Sequence, residues 1–531
     1  MRKYLLVFSI LFGIIELKAD DYPKQTDINI LNYNVSLKIS DNNDSIYGLN
    51  EITFKQLAPI IEIWFDIMPS MKITEVQFND NNASYKVIGN RVKINCEPNS
   101  NKKNQIIAIR YKGIPKDGLI ISENKYGDRT FFGDNWPNRA HHWFPCIDHP
   151  YEKATVTFSI TAPTHYLVVA NGKLKETSRV DSLNSLTVYE CLNPIPTKVM
   201  VFGAANFATQ HLVSKNGNNV QSWVYYNDKE NGFYDYAIAT GILDFFEDRL
   251  GDFPYVKLAN VQSKTRYGGM ENAGCIFYHE GSVTGKRDAE ELIAHEIAHQ
   301  WFGNTASEKN WEDIWLSEGF ATYLTGLYLK ETYGNEAFTE YMKKAFDKVY
   351  LFNTKAPSTS VIPTNLENLN AILNPMTYQK AAWCLYMISE YYFEGDNWTW
   401  MKSYYEKFKF SNASTNNLFD LIPDNKGISK SDFKKQWLTQ STLPSLRYSY
   451  QYNEKYKEVT VNIKQLQKSK TPFMLPIEIG VLYTKSLSFE TQQYIVTEKN
   501  LKIVIPVSEK PQEIKVDPFF KLLLKVEIQD L

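Results

Sequence analysis

The sequence predicts a multidomain α+β protein with an N-terminal β-sheet domain, a mainly α-helical middle domain and a C-terminal β-sandwich. Apolar and polar residues alternate along much of residues 22–206, as in half-buried strands. Helical periodicity dominates the middle of the chain, and alternation returns from about residue 445. A length of 531 residues is too great for one core and is typical of about three domains.

The composition favours a globular protein and gives no sign of a nucleic-acid partner. Hydrophobic residues make up 43% of the chain and charged residues 22%, which is ordinary for a globular domain. The net charge is -2 and the sequence contains no basic block. The sequence therefore predicts no nucleic acid among the partners.

Residues 1–19 are typical of a secretory signal. Arg2 and Lys3 precede an apolar run over residues 4–15, which is too short to span a bilayer. Cleavage after Ala19 would release a chain exported to the periplasm or the outside, with no stable membrane insertion. An uncleaved anchor is the alternative.

The predicted N-terminal domain covers residues 20–206. Tyr33, Val35, Leu37 and Ile39 alternate with polar residues, and turn clusters punctuate the strands. The other alternating set is Ala154, Val156, Phe158 and Ile160, and the turn clusters lie at 41–44, 79–82 and 99–101. This spacing fits one large sheet domain rather than βαβ units.

Cysteine usage excludes a disulfide-dense framework. The five cysteines are scattered, odd in number and without metal-ligand spacing. They are Cys96, Cys146, Cys191, Cys275 and Cys384. The sequence leaves open one disulfide in an exported protein or five buried free thiols.

The predicted middle domain covers residues 207–440 and is mostly helical. Its elements are a helix over 233–250 that ends at Gly251, a strand over 256–262, and helices over 336–350, 378–392 and 398–410. The predicted C-terminal domain, residues 445–531, alternates at Val459, Val461 and Ile463, which fits a small β-sandwich.

Residues 288–304 carry the chemistry. Asp288 and Glu291 have the spacing of a capping box that would begin a helix, and Gly303 stands where the helix would end. His295 and His299 are four residues apart and therefore leave the same helix face. Two imidazoles at this spacing can bind zinc at about 2.0–2.1 Å.

Two further residues complete the predicted zinc site. Glu296 follows the first histidine and is positioned as a general base. Glu318 lies 19 positions after His299, which leaves room for a loop and a second helix that brings a third ligand. A pair of histidines on a helix face also occurs as an ordinary buried polar pair, so the two histidines alone do not indicate a metal site. The presence of Glu318 at this distance favours one.

The segment Gly268-Gly269-Met270-Glu271-Asn272 precedes the histidine helix. With His-Glu-x-x-His, eighteen intervening residues and Glu318, it resembles the gluzincin aminopeptidases of the M1 family. The resemblance implies a thermolysin-like catalytic domain with one zinc ion per chain. It further implies hydrolysis of N-terminal residues from peptides that have a free N-terminus, on a substrate-binding segment formed by Gly268, Gly269, Met270 and Glu271.

The resemblance also assigns two residues that composition cannot. By itself, Glu271 is most simply a solvated loop glutamate, and Tyr378 is one of 34 tyrosines. In the family, the matching glutamate grips the α-ammonium of the substrate, and the matching tyrosine donates a hydrogen bond to the oxyanion. Gln379 and Ala381 depart from the family's Tyr-Glu-Lys-Gly segment.

Other departures lie near the site. Trp136 stands where relatives often have a Gln or Glu that helps to bind the amine, so Asp134 or Asn135 would substitute, or Trp136 would shape the side-chain pocket. Thr325 stands where relatives often have an acid seven residues after the third ligand. Adjacent His141 and His142 would point to opposite sides of a strand, which disfavours a second metal site there.

The expected chain is a short form without the family's large C-terminal helical-repeat domain. A zinc endopeptidase, an epoxide-opening relative and a non-catalytic peptide-binding module remain as alternatives. Glu271 disfavours the first two, while Glu296 and Tyr378 disfavour the third. The sequence indicates neither the preferred first residue of the substrate nor the oligomeric state.

Overall fold

The computed structural model of the chain describes residues 20–98, 103–424, 427–469 and 471–529. The predicted signal and the turn cluster at 99–101 lie outside these residues. In the described part, no helix is both long enough and apolar enough to span a bilayer.

The N-terminal region is built of β-strands, as predicted. They are β1 (Ile28–Lys38), β2 (Ile46–Gln56), β3 (Glu62–Asp66), β4 (Met71–Phe78), β5 (Asn81–Asn82), β6 (Tyr85–Ile88), β7 (Arg91–Asn95), β8 (Gln105–Gly113), β9 (Leu119–Glu123), β10 (Arg129–Gly133), β11 (Lys153–Pro163), β12 (Leu167–Ala170), β13 (Lys173–Arg179), β14 (Asn184–Pro196) and β15 (Phe202–Ala205). Their sheets have the orders β13-β14-β11-β1-β2-β8-β4-β5, β12-β15-β10-β9 and β3-β7-β6.

The alternation in β1 and β11 is confirmed by burial. Tyr33, Val35 and Leu37 are buried on one face of β1, and the alternating residues of β11 are buried beside them. The two strands pair in parallel with Tyr33 opposite Val156. Period-two alternation thus correctly identifies the face of the sheet that covers the core.

The middle region combines a small sheet with helices. Its strands are β16 (Phe207–Val213), β17 (Asn219–Tyr225), β18 (Leu258–Ser263), β19 (Gly269–Met270), β20 (Cys275–His279), β21 (Ala306–Glu308) and β22 (Ser411–Ala413). Its helices are α1 (Lys229–Tyr236), α2 (Ala239–Leu250), α3 (Glu290–Ala298), α4 (Trp315–Tyr333), α5 (Asn335–Lys355), α6 (Ala381–Tyr392), α7 (Trp398–Phe408), α8 (Thr415–Phe419) and α9 (Lys430–Phe433). The main sheet has the order β16-β17-β18-β20-β19.

Two predicted helices differ from the structure. The single helix expected over 233–250 is wrong, because a turn separates α1 from α2. Asp235, in the last turn of α1, accepts three backbone N–H groups from residues 284–287, which anchors the end of α1 to a distant part of the chain. The helix expected from Tyr378 begins at Ala381 and is preceded by a π-helical turn over Met376–Lys380.

The C-terminal region forms two facing sheets. Its strands are β23 (Ser445–Asn453), β24 (Glu458–Gln465), β25 (Leu475–Leu482), β26 (Glu490–Val496), β27 (Asn500–Pro506), β28 (Glu513–Val516) and β29 (Lys525–Ile528). The sheet orders are β27-β24-β23-β29 and β26-β25-β28. Val459, Val461 and Ile463 are buried, as the alternation predicts. The multidomain α+β fold class is confirmed, while the domain limits given above stay predictions.

Buried polar contacts join the N-terminal sheets to the middle region. The side-chain amide of Asn171 donates to the carbonyl of Ala273, 2.8 Å away, two residues after Glu271. The Lys257 ammonium donates in turn to the carbonyl of Ala170 at 2.8 Å. These bonds fix the loop between β19 and β20, which carries Glu271, against the N-terminal sheets.

The histidines and cysteines of the N-terminal region have ordinary surroundings. His141 and His142 lie in a short 3₁₀ turn, so the predicted strand is wrong there, and their ring centroids are 4.8 Å apart. His141 Nδ1 is hydrogen-bonded to Asp148 Oδ2 at 2.7 Å, so this imidazole has an ordinary partner within the fold. All five cysteines lie among the described residues and are buried and free.

Candidate active site

The predicted capping box at the start of α3 is wrong. The helix begins at Glu290, and no side chain caps its first turn. Arg287 has a φ of 62°, and its backbone N–H donates to Asp235 at 2.8 Å, so the chain enters the helix from a loop bound to α1. The buried Asp235 therefore fixes the entry to the histidine helix in place of a local cap.

The end of α3 also differs from the prediction. The helix ends at Ala298, and His299 follows it as the first residue of a turn. Gly303 begins the next turn with a φ of 117°, a conformation that favours glycine. A Cβ at this position would lie 2.9 Å from His299 Nδ1 and 2.2 Å from Ser317 Oγ, so glycine is also needed for close packing.

Three side chains converge as the motif spacing predicts. His295 Nε2 and His299 Nε2 are 3.1 Å apart, and Glu318 Oε2 lies 3.5 Å from the first and 3.3 Å from the second. Glu318 projects from the first turn of α4 and is buried. Ligands about 2.0–2.1 Å from a tetrahedral zinc ion are roughly 3.3 Å apart, so this triangle fits zinc.

The charge around the triangle favours a cation. Burial alone lowers the pKa of His299, but Glu318 and the neighbouring carboxylates outweigh it and raise the pKa to about 9. Burial likewise raises the pKa of Glu318, but the two imidazoles outweigh it and hold the pKa far below its ordinary value. Glu271 and Glu296 lie within reach of His299 as well, so the cluster offers a cation three carboxylates and two imidazoles as donors.

A backbone carbonyl orients His299. Its Nδ1 lies 3.1 Å from the carbonyl oxygen of Phe302 and 3.2 Å from Ser317 Oγ. A proton on Nδ1 is donated to that carbonyl, which leaves the Nε2 lone pair directed at the other two ligands. Thr325 has no part in this, because its hydroxyl donates to the carbonyl of Ala321 in its own helix.

Glu296 lies against the backbone of β19. It is buried, and burial raises its pKa well above the ordinary value despite the opposing charge of His299. A Cβ added at Gly269 would lie 2.4 Å from Glu296 Oε1. Gly269 therefore leaves the space that the carboxylate of Glu296 occupies.

This contact yields a prediction. If this is the zinc site that the sequence predicts, Gly269→Ala should lower kcat and leave bound zinc unchanged, because Glu296 must leave its place beside the three ligand candidates. At Gly268 an added Cβ would meet only Leu292, at 3.7 Å, so alanine there leaves Glu296 in place. Steady-state kinetics and metal analysis of Gly269→Ala test this, and an unchanged kcat would show that the position of Glu296 is not critical.

Glu271 is not a solvated loop residue. It is 5% exposed, and its backbone carbonyl accepts from Gln300 Nε2 at 2.9 Å and from Asn304 Nδ2 at 2.6 Å. Oε1 of Glu271 has no hydrogen-bond partner within the described residues. Its neighbour Met270 is buried in the core, whereas Gly268 is exposed.

Tyr378 lies beside the first metal-ligand candidate. Its ring stacks on the imidazole of His295 with 6.0 Å between centroids and 16° between planes. Burial raises the pKa of Tyr378 well above the ordinary value, and Glu318 adds to the effect. The phenol therefore stays protonated at neutral pH and keeps a proton to donate.

Trp136 is enclosed by aromatic rings. It is buried and packs edge-on against Tyr267 at 6.3 Å and Trp311 at 5.8 Å. Asn135 donates to the carbonyls of two residues and accepts from Trp143. Asp134 is likewise engaged, with Arg139 at 3.0 Å and Thr265 at 3.1 Å. Both polar candidates are thus bound within the fold.

Sequence reasoning missed several residues of this site. Phe302 contributes a carbonyl oxygen, which every residue has, so no signal in the sequence marks it. Lys198 was also missed, although it lies 3.8 Å from Glu271 Oε1. It comes from the N-terminal region, and only the folded chain brings it here.

Two family models match most of the chain. Residues 234–437 match the model described as the peptidase family M1 domain, and residues 29–199 match the peptidase M1 N-terminal domain. Human glutamyl aminopeptidase is 23% identical over 85% of this chain and 50% of its own. Leucyl aminopeptidase of Saccharolobus solfataricus is 26% identical over 73% of this chain and 48% of its own.

A mitochondrial enzyme gives a similar result. Aminopeptidase 2 of Saccharomyces cerevisiae is 24% identical over 79% of this chain and 45% of its own. The chain thus spans between 34% and 50% of the length of the curated relatives it matches.

Proposed function

The chain belongs to peptidase family M1, and from that premise we propose that it is a zinc-dependent aminopeptidase acting on peptides with a free N-terminus. The observation that carries the proposal is the pairing of two features. A triangle of His295, His299 and Glu318 has the spacing of zinc ligands, and a buried Glu271 carboxylate with an unbonded oxygen lies beside it.

His295, His299 and Glu318 would hold the metal, one ion per chain. Their donor set of two imidazole nitrogens and one carboxylate oxygen is typical of catalytic zinc sites, which keep a fourth position open. A zinc ion, when bound, supplies Lewis acidity that makes water a nucleophile near neutral pH.

Glu296 is the proposed general base. Its carboxylate lies within 4.8 Å of a nitrogen of His299 and of the Glu271 carboxylate. A buried carboxylate with a raised pKa accepts a proton from the attacking water and then passes it to the leaving amine. Gly269 keeps this carboxylate in position.

Tyr378 is the proposed oxyanion donor. Its ring is fixed against His295, and its phenol keeps its proton. A hydrogen bond to the carbonyl oxygen strengthens as that oxygen gains negative charge, which lowers the barrier more than it favours the bound substrate.

Glu271 would define the end of the peptide. A buried carboxylate oxygen without a partner binds an ammonium through a charge-assisted hydrogen bond. The first peptide bond would then be the one that reaches Glu296 and the metal ligands. An endopeptidase has no need of this group, so the carboxylate favours the aminopeptidase.

A panel of aminoacyl reporter amides tests the proposal. The purified protein should hydrolyse several of them, lose activity with a chelator and regain it as zinc is added back toward one ion per chain. N-acetylated forms of the same reporters serve as the matched control and should resist hydrolysis. Equal rates on free and acetylated reporters would contradict the proposal.

A further inference from the structure

Three buried ionisable side chains from two regions of the chain meet at the candidate amine site. Lys198, in a short 3₁₀ turn, comes from the N-terminal region, and Glu271 and Glu308 come from the middle region. Lys198 is 1% exposed and Glu308 is 1% exposed. A buried charge is stable only beside an opposite charge, so the distances between these groups indicate which of them are paired.

Lys198 lies between two carboxylates at unequal distances. Its Nζ is 2.8 Å from Glu308 Oε1 but 3.8 Å from Glu271 Oε1. Burial lowers the pKa of Lys198, but Glu308 and Glu271 outweigh it and raise the pKa above its ordinary value, so the side chain is a cation. Glu308 is its close partner, while Glu271 receives its charge at a longer distance.

We propose that Lys198 is a positioning residue for the substrate amine: held by Glu308, its ammonium compensates the buried charge of Glu271 without occupying the oxygen that binds the substrate. This inference rests on the proposed function, because it assigns a role only if Glu271 binds the α-ammonium.

The unequal distances matter to affinity. A lysine in direct contact with Glu271 would have to be displaced by the arriving ammonium. With no lysine, Glu271 and Glu308 would be left as buried carboxylates without their shared cation, so Glu271 would take up a proton and lose the charge that attracts the ammonium. Because Lys198 Nζ lies 3.8 Å from Glu271 Oε1, it balances the charge of Glu271 and does not have to be displaced when the ammonium arrives.

Trp136, at the position where relatives often have a Gln or Glu that helps to bind the amine, makes this balance more important. An indole offers only an N–H donor, so it provides no acceptor for an ammonium. The polar groups of Asn135 and Asp134 are bound within the fold. Glu271 is therefore the acceptor on which amine binding would depend.

The test compares variants on one free-amine reporter. Lys198→Met should raise KM about tenfold or more while kcat changes little and zinc content is kept. Glu308→Gln should also raise KM, because the released Lys198 moves onto Glu271 and competes with the substrate. The double variant Lys198→Met/Glu308→Gln removes a whole pair and should return KM toward the wild-type value.

The double variant distinguishes positioning from a merely structural contribution. If Lys198 only holds the fold together, the double variant will bind substrate no better than either single variant, which overturns the proposal. Glu308→Gln tests the same arrangement by removing the close partner of Lys198, so the proposal can still be tested if Lys198→Met does not fold.

Lys153→Met is the matched control. Lys153 Nζ donates to the carbonyls of Asn304, Thr305 and Ser411 at 3.1, 2.7 and 2.8 Å. Its loss should lower Tm and leave KM unchanged. A tenfold rise of KM in this control would overturn the specific assignment to Lys198.

Glu271→Gln separates this inference from the proposed function. An unchanged KM in that variant means that Glu271 does not bind the amine, and the proposed function fails with the inference. A raised KM in Glu271→Gln together with an unchanged KM in Lys198→Met overturns the role of Lys198 alone.

Discussion

Replacing Glu296 by glutamine should lower kcat on the order of 10²-fold or more. The amide keeps the shape of the side chain in the space that Gly269 leaves, but it cannot accept a proton from water. Because the three metal-ligand candidates are untouched, zinc content should stay at one ion per chain. Single-turnover kinetics on a reporter amide, with metal analysis of the same sample, measures both quantities.

Glu291→Gln is the matched control for this substitution. Glu291 is exposed on the same helix, and no cap depends on it, so the same chemical change there should leave kcat and zinc content unchanged. Near wild-type turnover in Glu296→Gln would remove Glu296 from the mechanism.

Loss of a metal ligand should abolish activity altogether. His299→Ala or Glu318→Ala leaves two ligands where a catalytic zinc ion needs three, so bound zinc should fall to near zero after dialysis. The Nε2 and Oε2 atoms of these residues are 3.3 Å apart, so each substitution removes one corner of the triangle. Atomic absorption measurements report the zinc, and reporter hydrolysis reports the activity.

His211→Ala controls for the loss of a histidine as such. His211 is exposed on β16, remote in the sequence from the motif, and its removal should leave zinc bound. Full zinc occupancy in His299→Ala and Glu318→Ala would contradict the ligand assignment.

The central triangle could be predicted because its geometry follows from local rules. Four residues of helix bring His295 and His299 to one face, and the chain between His299 and Glu318 is long enough for one loop and a new helix. The structure brings these atoms together at 3.1 to 3.5 Å. The spacing of these three residues along the chain was therefore enough to predict the triangle.

The rest of the site depends on tertiary contacts that no spacing encodes. The carbonyl of Phe302 orients His299, and Asp235 of another helix fixes the entry to α3 in place of the expected cap. Lys198 reaches Glu271 from a distant part of the chain. Backbone acceptors and buried charges of this kind have no sequence signature, because any residue or any lysine could supply them.

The fold shows the same division. Period-two alternation correctly identified the buried face of β1. A shift by one residue would turn every apolar side chain of the strand to the solvent, so only one face can be buried. The helix expected over 233–250 is split, and Asp235 beside the break binds the loop before α3, a contact that the sequence does not reveal. Periodicity reports which face is buried but not where a tertiary contact interrupts the helix.

The most direct test of the whole account is the digestion of one peptide and its N-acetylated twin, followed by mass spectrometry with and without a chelator. A zinc aminopeptidase should convert the free peptide into a ladder of products shortened one residue at a time from the N-terminus. The acetylated twin should not be cleaved, and no ladder should form in the presence of chelator. Internal cleavage of the acetylated peptide, or a ladder that persists after zinc is removed, would contradict it.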